Sequence, residues 1–188
     1  MTHDYLKISD ILFIMVFWNE IDRMTIDWTQ FGKEEGRWKY KLGTGPMRFQ
    51  IPRGKCTWGV SSYKSFQIDI SDPKFIDWWK ELESQLCPQE PFNSNLKLTD
   101  TGASLRIKVD DATYIFDENS NQVTPVVEEG LFKGRDLSCL IDIESNYFFR
   151  GSWGLTVRAY QVKYYGGPEE PKREVAEEPI KKGICAFI

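Results

Sequence analysis

Between Lys33 and Lys64 the chain carries eight basic residues, Lys33, Arg37, Lys39, Lys41, Arg48, Arg53, Lys55 and Lys64, against two acids, Glu34 and Glu35. That is a local excess of eight minus two, or +6, inside a protein whose formal charge is −4. Trp38, Tyr40, Phe49, Trp58 and Tyr63 are interleaved with these charges. Cations at short spacing follow a line of phosphates, and flat rings between them stack on unpaired bases, each worth roughly 1–3 kcal/mol without reading sequence. Arg106 and Lys108, on either side of Ile107, repeat the alternation, and Trp153 and Arg158 add a ring and a charge near the end of the patterned region. A solvated face accounts for any one of these charges, so the combination is what points to single-stranded nucleic acid. Trp38, Tyr40 and Phe49 alternate with charges and read as core. Trp58 and Tyr63, beside Gly59 and serines, read as exposed rings.

Other chemistry has little material. The single histidine, His3, stands near the N-terminus, which leaves no triad and no histidine-ligated zinc. Cys56, Cys87, Cys139 and Cys185 are scattered with no CxxC pair, and read as reduced thiols of an intracellular, reducing compartment. Asp110, Asp111, Asp117 and Glu118 cluster near a hairpin, and adjacent acids in a turn are common without a cation. A metal-dependent nuclease would have to use them. The expectation is a protein with no catalytic residue, no metal and no cofactor.

The elements that must hold these residues are mostly strands. The chain has 188 residues, 41% hydrophobic and 28% charged, ordinary for one globular domain with extensions. Met24–Phe31, Arg37–Leu42 and Met47–Ile51 alternate with period two, separated by Gly32–Gly36 and Gly43–Pro46 turns. Cys56–Ile70 reads as one long or bent strand, kinked at Gly59. Asp72 followed by Pro73 starts a helix, and Phe75, Ile76, Trp79, Leu82 and Leu86 recur at helical spacing up to Pro88. Residues 88–102 read as a connection, and Ser104–Val109, Thr113–Phe116, Leu137–Ile143 and Gly154–Tyr165 as further strands. The fold class expected is mainly β, an OB-fold-like antiparallel Greek-key barrel with one helix inserted midway. A sandwich stays open on periodicity alone.

The ends differ from the middle. Residues 1–23 form an N-terminal extension whose apolar run, Ile11–Trp18, is too short for a bilayer. It reads as a strand or helix packed on the domain, or as a self-associating segment, and no membrane partner is expected. Residues 24–165 form the nucleic-acid-binding domain. Residues 166–188 read as a flexible polar tail with five glutamates and four basic residues, tipped by the apolar ICAFI. That design suits contacts with replication or recombination proteins, or assembly into a homo-oligomer.

Three stretches carry a family resemblance: MRFQIPRGKCTWGVSSY (Met47–Tyr63), LRIKVDDATYIFDENSNQ (Leu105–Gln122) and YFFRGSWGLTVRAYQVKYY (Tyr147–Tyr165). In order and spacing they resemble OB-fold single-stranded-DNA-binding proteins of large DNA viruses, over roughly Thr25 to Tyr165. Cys56-Thr57 stands where that pattern has an apolar pair. The resemblance implies a protein that coats and protects single-stranded DNA in replication, recombination or repair. The site residues expected are Arg37, Lys39, Lys41, Arg48, Arg53, Lys55, Trp58, Tyr63, Lys64, Arg106, Lys108, Trp153 and Arg158. The alternative is a structural or protein-interaction β-barrel, such as a virion component, whose basic face takes an acidic partner.

Overall fold

The computed structural model describes residues 17–21, 28–34, 37–42, 46–87 and 90–166, with residues 28–34 and 37–42 described by their backbone alone. Of the expected extension 1–23, residues 1–16 and 22–23 lie outside the described residues, as do residues 167–188 of the expected tail 166–188. The strands are β1 (Trp28–Glu34), β2 (Arg37–Leu42), β3 (Met47–Gln50), β4 (Gly54–Cys56), β5 (Ser65–Ile70), β6 (Phe92–Asn93), β7 (Leu96–Thr99), β8 (Gly102–Lys108), β9 (Tyr114–Phe116), β10 (Gln122–Val123), β11 (Arg135–Phe149) and β12 (Ser152–Tyr165). Among the described residues one α-helix, α1 (Pro73–Leu86), lies between β5 and β6, and a short 3-10 turn spans Trp18–Glu20.

Strand pairing closes a ring. β4 pairs β5, β5 pairs β8, β8 pairs β12, β12 pairs β11 and β11 returns to β4. Only β8–β12 is parallel among these five contacts, which gives the five-stranded Greek-key closure of an OB-fold. β3 continues the β4 rung along β11, with Ile51 N–H donating to the Cys139 carbonyl between them at 3.1 Å. β1 and β2 extend the sheet outward from the far half of β11.

Alternation on β5 and β8 sends Phe66, Ile68, Ile70, Ala103, Leu105 and Ile107 inward. Asp72 caps α1 through its carboxylate, which accepts from the Lys74 and Phe75 amides, and Pro73 occupies the first turn where a missing N–H costs nothing. The apolar stripe of the helix then covers the barrel interior. Phe49, Phe75, Trp78 and Trp79 pack ring against ring at 5.3–6.5 Å, and Trp18 joins them at 5.4 Å from both Phe75 and Trp78. The described end of the apolar N-terminal run therefore packs on the domain.

The expected single strand over Cys56–Ile70 is two strands with a loop between them. Gly59 at φ +77° and Lys64 at φ +50° leave the extended region, and the Lys64 amide donates to the Ser61 carbonyl at 2.9 Å. Strands β6 and β7 lie inside the stretch read as a connection. Among the described residues no helix is long and apolar enough to cross a membrane.

Candidate nucleic-acid interface

β5 and β8 are the second and third strands of the barrel, the face that binds oligomers in this architecture. The 57–64 loop enters β5 beside Ser65, which pairs Lys108 at the end of β8. The 150–151 turn enters β12, which runs parallel to β8, so it lies toward the start of β8. The two loops therefore bound opposite ends of this face.

The 57–64 loop presents the two rings the sequence singled out. Trp58 is 74% exposed and Tyr63 89% exposed. Burying such a ring against a partner removes a large apolar area from water, and its face also stacks on a base. Around them stand exposed Lys55, Lys64 and Lys108. Arg158 is the cross-strand neighbour of Lys108, and Arg106 lies opposite Gln67 one step along the face. Arg106 is exposed, with a long 3.4 Å contact to Asn95. Phe49, read as core, is fully buried.

Several of the expected cations already have acidic partners. Arg48 donates to Asp142 through Nε at 2.7 Å and Nη2 at 2.8 Å, with Asp142 nearly buried. Burial alone would lower the Arg48 pKa, but Asp142 and Tyr160 together more than offset it and the guanidinium is held charged. Arg53 pairs with Asp136 at 3.3 Å, Lys64 with Asp111 at 3.7 Å, and Arg158 with both Asp110 at 3.2 Å and Glu144 at 3.4 Å. Of the acids near the hairpin, Asp110 and Asp111 thus hold cations while Asp117 accepts from Asn119 and Asn121, and no group of three metal-ligating side chains comes together among the described residues. Trp153 is half-buried against Phe148 at 5.2 Å. Arg37, Lys39 and Lys41 lie on β2, with Lys39 opposite Tyr147 and Lys41 opposite Ser145; their side chains fall outside the described residues.

A set of arginine–tyrosine stacks escaped the sequence reading. Arg48 lies over Tyr160 at 3.3 Å, Arg53 over Tyr165 at 3.8 Å and Arg135 over Tyr164 at 4.4 Å. The signal was the RAYQVKYY segment, where basic and tyrosyl residues mix along the last strand. A bulge on this strand, between the Leu140↔Gln161 and Ile141↔Ala159 pairs, hides its regularity.

No protein-family model matches the chain, and no curated relative matches it. Among solved structures it is similar to gp2.5, a single-stranded DNA binding protein encoded by bacteriophage T7, at 12% identity and a TM-score of 0.47, covering 70% of this chain and 100% of that one. It is also similar to the single-stranded DNA-binding protein of bacteriophage Enc34 in complex with ssDNA, at 10% identity and a TM-score of 0.48, covering 77% and 98%. Both are phage proteins, not proteins of large DNA viruses as the expected resemblance had it.

Proposed function

We propose that this protein binds single-stranded DNA with little sequence preference, and coats and protects it during replication, recombination or repair. The observation that carries the reading is the pair of rings, Trp58 and Tyr63, held out on the loop between the first two barrel strands. Lys55, Lys64, Arg106, Lys108 and Arg158 supply the cations around them. Arg37, Lys39, Lys41, Arg48, Arg53 and Trp153 complete the proposed site. Residues 24–165 are the binding domain in this reading, and the 166–188 tail serves partner proteins or self-association.

Tryptophan fluorescence titrated with oligo-dT, duplex DNA and RNA tests it. The expected result is quenching by oligo-dT that weakens with added salt, because phosphate contacts release counterions. Indifference to every oligonucleotide would sink the proposal. A second reading has its own support. Arg48, Arg53 and Arg158 are matched by carboxylates and mixed with tyrosines, a composition that suits a protein partner. No quenching, together with a fixed large assembly on sizing columns, would favour that reading.

A further inference from the structure

We propose that Gly59 and the 128–134 turn form a brace that positions Trp58 and Tyr63, so that groups making no contact with DNA set the affinity of the site; the inference rests on the stacking reading above. Trp58 and Tyr63 stand on either side of Gly59-Val60. Val60 is tied to the turn twice: its N–H donates to the Leu131 carbonyl at 2.8 Å, and the Gly130 N–H donates to the Val60 carbonyl at 2.8 Å. The start of the loop is fixed by the Gly134 N–H, which donates to the Cys56 carbonyl at 2.7 Å. Its end is fixed by the Ser61 N–H on the Ser65 carbonyl at 2.7 Å and the Val109 N–H on the Lys64 carbonyl at 3.0 Å.

Gly59 is what lets loop and turn approach. At φ +77° it adopts a conformation that L side chains rarely take. A Cβ there would fall 2.7 Å from the Gly130 carbonyl oxygen and 2.9 Å from that of Leu131. Both are backbone atoms, which cannot swing aside as a side chain does. The turn is rooted in the core by Phe132, buried despite φ +69°, with its ring edge-on to Phe66 at 5.6 Å. A non-glycine residue in that region marks a conformation imposed by its surroundings. Rings held in place before binding lose less freedom when a base stacks on them.

Gly166 provides the matched control. Its φ of +61° also strains an alanine, but no atom lies within 4 Å of its Cβ position and it stands outside both the loop and the turn. Gly59→Ala should weaken oligo-dT binding by about tenfold or more, roughly one lost base stack, while Gly166→Ala stays within about threefold. In a Trp58→Ala/Tyr63→Ala background, Gly59→Ala should cause no further loss. Photocrosslinking with 5-iodouracil-substituted oligo-dT should label the tryptic peptide Cys56–Lys64, which holds both rings, and Gly59→Ala should remove that label. If Gly59→Ala does not fold, Phe132→Leu loosens the same turn from the core and is expected to act the same way. Wild-type binding by Gly59→Ala, or an equal loss with the rings already gone, overturns the brace. Undiminished binding by the double ring variant would instead overturn the stacking reading itself.

Discussion

Arg48 and Tyr160 are in direct contact, the guanidinium carbon 3.3 Å from the ring centroid. Asp142 holds the guanidinium there by accepting from two of its nitrogens. Arg48→Ala removes the counter-charge from a nearly buried carboxylate, which costs about 3–5 kcal/mol. Arg48→Lys cannot make the paired contact and should rescue little of it. Urea denaturation measures both. A loss below about 1 kcal/mol would show the pair to be no stronger than a surface bridge.

The double variant Trp58→Ala/Tyr63→Ala reads out the loop. Both rings are exposed, so thermal stability should stay within about 0.5 kcal/mol of wild type. Affinity for oligo-dT should fall by about 2–6 kcal/mol if each ring takes one base. Isothermal titration beside a melting curve tests this, and a large drop in stability would place the rings in the core instead.

Glu83 lies buried on α1, where Ser94 Oγ and the Asn95 N–H donate to its carboxylate. The Trp79 indole N–H is close to it but outside good hydrogen-bond geometry. Burial pushes the Glu83 pKa up, and the hydrogen bonds only partly oppose it. A group raised in the folded state stabilises fully below its unfolded value, about 4.3, and loses that contribution as pH rises through the folded pKa. Glu83→Gln should therefore gain stability relative to wild type between pH 4 and pH 8. Parallel denaturation curves at the two pH values decide it; an unchanged difference would argue against a raised pKa.

Cys56, Cys87 and Cys139 are free and buried. Burial pushes the Cys56 and Cys87 thiols up to about 11, and that of Cys139 well above its ordinary value. With so little thiolate at pH 8, all three should resist alkylation in the native protein and react after unfolding. Peptide mapping after iodoacetamide treatment checks each one. Rapid native labelling of Cys139 would contradict the packing between β11 and its neighbours.

The helix was legible because its signals are local. The Asp72-Pro73 cap and the Phe75 to Leu86 spacing lie within one short stretch, and the structure follows them to the residue. The mainly β class was legible from alternation, and the single helix set midway among the strands pointed to a barrel rather than a sandwich. The 57–64 loop was not, since its residues alternate well enough for a strand. What bends it is contact with a turn more than sixty residues later in the chain. β11 runs from Arg135 to Phe149, longer than the expected Leu137–Ile143, because register shifts at Leu140/Ile141 and Ile143/Ser145 scramble the period-two pattern. The ring positions Trp58 and Tyr63 could be read from their neighbours. The acids that hold the arginines could not, for Arg48 and Asp142 are 94 positions apart.

Where β8 meets β12, the barrel is joined by a single registered pair, Lys108 with Arg158; below it, β7 lies on β8 and β6 on β12. Arg158 reaches from β12 to Asp110, just past β8, and to Glu144 on β11. It acts as a rivet across a seam that has almost no backbone stitching. In the proposed reading, an Arg158 that turned toward a phosphate would let go of both carboxylates, so filling the surface would also slacken the wall. Added salt would then act on the ion pairs of the seam and on the proposed phosphate contacts alike.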